Sequence, residues 1–154
     1  MNLAGGTAYC AVASSPDQLV DDPLVRIELG EGLEPAEQLI DFGARFRQEL
    51  NRLRPIAVGI VQTTKTANWV YSQAWRRATV EAVVMMTVAD ASTYERPIAY
   101  RQIGQQSMAK RVGIPLKTLQ ETCAERWGKQ VPMYRKDRFP AVVGAMALLK
   151  EFCP

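Results

Sequence analysis

Between Pro55 and the polar cluster that opens at Gln62 lies Ile56–Val61, IAVGIV, a run without a charge or a hydroxyl. A short apolar run bounded by a breaker and a polar stretch suits a strand covered on both faces, the character of a central strand with parallel neighbours. Such a strand needs a layer of helices on each side, and the flanking sequence supplies candidates. Pro35 stands at a favourable first-turn position, with Glu34 and Glu37 near the positive end of the helix dipole. Leu39, Ile40, Phe42, Ala44, Phe46, Leu50 and Leu53 then recur at three- and four-residue steps, and Arg45, Arg47, Arg52 and Arg54 cover most of the remaining surface until Pro55 stops the helix. Beyond the apolar run, Asn68 to Asp90 predicts a second long helix with Trp69, Trp75, Ala78, Ala82, Val83 and Met86 on one face.

Shorter elements complete the order. Thr7 to Ala13 predicts the first strand, and Ser14-Ser15-Pro16-Asp17 a turn. Leu24 to Leu29 alternates apolar with charged residues, as does Pro97 to Ile103, the pattern of strands with one solvated face. Helices are expected over Ser107–Arg111, Leu116–Trp127 and Ala141–Phe152. Strands alternating with helices argue for an α/β layered fold, a mixed central sheet flanked by helices. With 154 residues, 47% of them hydrophobic, residues 1–154 form one domain.

The composition closes several chemical routes. There is no histidine, so neither a Ser-His-Asp site nor a zinc site built on imidazole can form. The three cysteines Cys10, Cys123 and Cys153 make no CxxC pair and read as reduced, mostly buried thiols. The longest strongly apolar stretch without a charge, Ala82 to Ala89, is far below the roughly 20 residues of a membrane span. Met1-Asn2-Leu3-Ala4-Gly5-Gly6 has neither the basic region nor the apolar run of a secretory signal, so a cytoplasmic location without membrane contact is expected.

Charge is unevenly spread. Residues 1–90 hold 8 Lys/Arg against 11 Asp/Glu, whereas residues 91–154 hold 11 against 5. A basic C-terminal half suits phosphate contact, and equally an ordinary solvated surface.

Three segments carry a resemblance to a known family. Ala4-Gly5-Gly6-Thr7-Ala8-Tyr9-Cys10-Ala11-Val12 is similar to a first strand that runs through an Asp-Pro-Gly turn into a Thr-Gly-Tyr-type segment. Ile60-Val61-Gln62-Thr63-Thr64-Lys65-Thr66-Ala67-Asn68 is similar to a central strand closing on Ile-Glu before a Lys-Asn pair and a long helix. Ala141-Val142-Val143-Gly144-Ala145-Met146-Ala147 is similar to a closing helix with Asp-Ala-Ala-Asp-Ala-Leu-Ala. With the element order, these segments resemble the RuvC-like Holliday-junction resolvase branch of the ribonuclease-H-like superfamily over roughly residues 4 to 150. The resemblance implies a ribonuclease-H-like fold and a two-metal site, whose chemistry needs several carboxylates around ions about 4 Å apart. At the matching positions this chain has Ala4, Gln62, Ala141 and Gly144, none of them a carboxylate.

The reading that follows is an inactive RuvC-like protein that binds DNA, RNA or a protein partner. Lys65, Arg101, Lys110, Arg111, Lys117, Arg135, Lys136 and Arg138 are its candidate phosphate contacts. Tyr71 and Trp69, at a helix start, are expected to be exposed, and Trp75 and Trp127 to pack in the core. No cofactor is expected. An alternative is an active magnesium-dependent nuclease with a relocated site, for which Asp137 and Glu81 are candidates, although Asp137 sits in a basic run and Glu81 lies four residues from Arg77. A third reading is an assembly protein without a nucleic-acid role. The apolar helix 69–88 is a candidate homodimer seam in either setting.

Overall fold

A computed structural model describes residues 1–154 apart from 5, 16–17, 21–25, 63–69, 94, 128–137 and 154. In chain order its elements are β1 (Asn2–Ala4), β2 (Thr7–Tyr9), β3 (Ala13–Ser15), β4 (Gln18–Leu19), β5 (Arg26–Glu28), α1 (Pro35–Leu53), β6 (Ala57–Gln62), α2 (Tyr71–Ala91), β7 (Ala99–Gly104), α3 (Gln105–Val112), a 3-10 turn (Leu116–Thr118), α4 (Leu119–Trp127) and α5 (Phe139–Phe152). Five strands form one sheet in the order β5-β2-β1-β6-β7. The β5, β2 and β1 half is antiparallel, with Leu3 opposite Ala8 and Ala8 opposite Ile27. On the other side β1, β6 and β7 run parallel, with Asn2 opposite Val61 and Ile60 opposite Gln102. The expected mixed α/β sheet is therefore present.

One expectation needs correction. Thr7–Ala13 is not a single first strand: Asn2–Ala4 comes before it and pairs with the centre of the sheet, Thr7–Tyr9 folds back on it, and Ala13 begins a separate two-stranded ribbon with β4. Ala4 faces Thr7, so the connection is a tight hairpin of the kind that a Gly-Gly pair permits. Helix α1 matches its periodicity, whereas α2 leaves Trp75, Ala78 and Met86 of its expected face exposed and buries Val80, Val84 and Val88 instead. Helix α1 starts at Pro35, where the Glu34 N–H donates to the Glu37 carboxylate at 3.2 Å, and it buries Phe42, Phe46 and Leu50. No helix among the described residues is long and apolar enough to cross a membrane.

Because side chains alternate along a strand, β6 serves two cores. Val58 and Ile60 pack in one cluster with Phe42, Phe46 and Leu50 of α1 and Val80, Val84 and Val88 of α2. Val61 joins the other with Met108 of α3, Cys123 and Trp127 of α4, and Val142, Val143, Met146 and Leu148 of α5. Gly59 lies on the α5 side, where an added Cβ would come within 2.6 Å of Leu148 Cδ1 and 3.0 Å of Ile103 Cδ1.

Gly59→Ala should therefore overpack this interface and destabilise the domain by about 1–3 kcal/mol, read as a lowered denaturant midpoint with an unchanged slope. An unchanged midpoint would mean that α5 is not seated on β6 in this way.

Candidate functional site

The parallel strands β1, β6 and β7 end at the same edge of the sheet, and ligands of open α/β sheets bind outside such carboxyl ends. Three of the four positions matched to acidic residues lie on the α5 side of this edge. Leu3 belongs to the α1–α2 core, so alternation turns Ala4 to the other face. An added Cβ on Gly144 would meet Val61 Cγ2 at 2.9 Å, and Ala141 begins the turn of α5 that precedes it. Gln62 lies on the opposite side: its amide donates to Gln102 Oε1 at 3.0 Å, and Gln102 donates in turn to Glu81 of α2. The β6 residue that faces Gly144 is Val61, so Gln62 does not share a face with Ala141 and Gly144. Val61, Ala141 and Gly144 are all buried, and Gly144 lies directly against Val61.

On the α2 side an arginine governs the edge. Arg77, 7% exposed, donates through Nη1 to the carbonyl of Leu3 and through Nη2 to the carbonyl of Val61 at 3.0 Å. These are the peptide oxygens immediately before Ala4 and Gln62. Burial pulls the Arg77 pKa below the usual arginine value, and the charge of Glu81 opposes that shift. Glu81 does not face open solvent: it accepts from Gln102 and stands 3.5 Å from the Tyr100 hydroxyl. Burial, reinforced by the Glu81 charge, raises the Tyr100 pKa.

These residues do not suit a divalent ion. Magnesium takes hard oxygen donors, carboxylates above all, whereas this edge offers two amides, one carboxylate already bonded to an amide, and a guanidinium on the strand-end carbonyls. Among the described residues no group of three His, Cys, Asp or Glu side chains is placed to share a metal. Asp137 lies outside the described residues, as do Lys65, Arg135, Lys136 and Trp69.

The remaining basic residues divide by location. Arg101 and Arg111 both bind Glu151, the Arg101 Nε at 2.9 Å, and Arg101 also stacks over Phe152. The two guanidinium hydrogen bonds hold the Glu151 pKa below its usual value. Because Glu151 and Phe152 close α5, this cluster lies away from the α5 start that borders the strand ends. Arg138 is a correction: at 5% exposure it is internal, its Nε donating to the Cys10 carbonyl at 2.7 Å. Lys110 and Lys117 are exposed and, among the described contacts, in no ion pair. Tyr71 is 83% exposed as expected and Trp127 is buried, but Trp75 is 47% exposed instead of in the core.

Sequence reasoning missed Arg77, although its signal was present: it falls in register with Val80, Val84 and Val88, the face that α2 buries. A cleft of about 410 Å³ opens at the other end of β6, lined mainly by apolar residues including Leu50, Ala57, Leu148 and Phe152, and none of the candidate residues lies on it.

No protein-family model matches the chain, and no curated protein matches it by sequence. Several solved chains are similar in fold, two RuvC structures among them. The Thermus thermophilus RuvC structure superposes with a TM-score of 0.68 over 98% of this chain and 92% of that one, at 14% identity. T. thermophilus RuvC in complex with Holliday junction substrate superposes at 0.54 over 82% of this chain and 76% of that one, again at 14% identity. The fold is ribonuclease-H-like and RuvC-like, and at this identity the likeness is one of fold.

Burial pushes the Cys10 thiol up to about 11 and the Cys123 thiol up to about 12, whereas Cys153 is exposed. Since thiolates are the reactive form, a disulfide reagent at pH 8 should titrate one thiol quickly in the native protein and three after denaturation. Rapid reaction of two or more native thiols would contradict the buried placement.

Proposed function

We propose that this chain is a RuvC-like domain that binds DNA, in branched form above all, without cutting it, and that it works in the cytoplasm as a homodimer. The observation that carries the non-cleaving half is the buried, apolar character of Ala141 and Gly144, the latter packed on Val61, at positions where the resemblance would place carboxylates. The engagement of Glu81 by Gln102 weighs against relocated metal chemistry. Branched DNA as ligand is suggested by the fold neighbour solved with Holliday junction substrate and by the basic C-terminal half.

Phosphate contacts supply affinity that falls with salt. Lys110 and Lys117 are the described candidates best placed to make them, since Arg101 and Arg111 are engaged by Glu151 and Arg138 is internal.

The dimer reading rests on α2. Tyr71, Trp75, Ala78, Ala82, Met85 and Ala89 recur at steps of four and three, and all are exposed or half-buried. Two copies packed antiparallel about a twofold axis at position 80 would set Tyr71 against Ala89, Trp75 against Met85 and Ala78 against Ala82. Large residues then meet smaller ones, and the alanines allow close approach at the centre, as an isologous interface requires.

Fluorescence anisotropy with a labelled four-way junction should show binding that weakens as salt rises. Lys110→Ala with Lys117→Ala should reduce the log K against log salt slope by about 1 to 2. Incubation with magnesium or manganese should leave the junction intact. Absence of binding at low salt would sink the DNA reading, and cleavage would sink the non-cleaving one.

Light scattering should give twice the 17.2 kDa chain mass. Ala78→Glu, at an exposed position, should return it to the monomer value without loss of helicity, and a wild-type monomer at high concentration would remove the dimer.

A further inference from the structure

We infer that Arg77 stands in for a divalent cation at the carboxyl end of β1 and β6, a built-in positive charge that keeps metal ions out of this edge. The inference deepens the non-cleaving reading and rests on it. Its basis is a pair of bonds from one guanidinium: to the Leu3 carbonyl, one peptide before Ala4, and to the Val61 carbonyl, one peptide before Gln62. Two strand ends converge there, and a peptide oxygen of each accepts from the guanidinium. A side chain of α2 thus reaches both from inside the fold, with Glu81 one turn further along supplying the nearby negative charge.

A fixed guanidinium differs from a bound ion in two respects. It carries five donors and no acceptor, so it cannot share a carboxylate with a metal without meeting that metal's charge directly. It is also tethered, so it cannot be displaced by an ion without opening the α2 packing around Val80 and Val84, both fully buried. Loss of the acidic residues and presence of Arg77 are thus two separate barriers. Carboxylates placed on the α2 face alone would have Arg77 as a partner, not a metal.

The test uses Gln62→Glu with Gln102→Glu, exposed positions that share the α2 face of this edge with Glu81. The readout is Mn²⁺-induced broadening of backbone amide resonances of residues 2–4 and 60–62 in the full chain. The wild type should show no selective broadening. The double variant should bind Mn²⁺ at least tenfold more weakly than the triple variant that adds Arg77→Gln, in which a neutral side chain keeps a donor for one carbonyl.

Equal binding by the double and triple variants would overturn the role of Arg77, as would a triple variant that fails to bind. Should the triple variant not fold, Arg77→Lys in the same background keeps the charge and should still exclude Mn²⁺; binding there would overturn the inference. Selective broadening in the wild type is a distinct result, which would sink the non-cleaving reading itself.

Discussion

The sheet is held together by its narrowest seam. A three-stranded antiparallel half and a two-stranded parallel half meet along β1 and β6, where the register has a single pair, Asn2 opposite Val61, and the Val61 N–H donates to the Met1 carbonyl at 2.8 Å. Arg77 fastens the end of that seam by bonding a carbonyl on each side of it. Burying a guanidinium costs several kcal/mol in lost hydration, and a hydrogen bond to a charged group returns about 1.5–3 kcal/mol. One such bond would not offset the burial; the two carbonyl bonds and the nearby carboxylate act against it together. The position of α2 and the ends of two strands are consequently a single arrangement, and neither can shift alone.

This dependence explains which parts of the fold could be read in advance. Helix α1 and strand β6 were legible because each is long enough for its period to repeat, and because Pro35 and Pro55 mark their limits. The seam was not. Asn2–Ala4 has three residues, too few to show alternation, and its place beside β6 comes from pairing between residues some sixty positions apart. Reading Thr7–Ala13 as the first strand selected the better local β signal and passed over the segment with the more central position.

The site was legible in its chemistry and less so in its geometry. That Ala4, Gln62, Ala141 and Gly144 carry no carboxylate followed from residue identity. Which residues share a face did not, because Ile56–Val61 is apolar throughout and carries no polarity to tell one side of the strand from the other. Gln62, the first polar residue, stood out for that reason, but its side chain turns toward Gln102 and α2, and the contact with Gly144 falls to Val61. Helix α2 posed the same problem. With apolar residues around most of its circumference, the face through Trp75 and Met86 seemed as fit for burial as the one through Val80 and Val84, and the structure buries the second. Arg138 lies inside and donates to the Cys10 carbonyl, a placement that a run of basic residues does not reveal.

Helix α2 presents two different faces on opposite sides. Over 21 residues, about 30 Å at the helical rise, its inner face presents Arg77, Val80, Val84, Thr87 and Val88, and its outer face presents Tyr71, Trp75, Ala78, Met85 and Met86. Arg77 and Ala78 are consecutive, so the residue that fastens the strand ends and the residue at the middle of the apolar stripe share a peptide bond. A change in how the outer face packs would be felt at the guanidinium through the rigid helix, without a chain of side-chain contacts. Conversely, the two carbonyl bonds fix the rotation of α2 about its own axis, and that rotation decides which side chains the stripe presents. The arginine that bonds the sheet therefore also sets the surface that the helix shows to the outside.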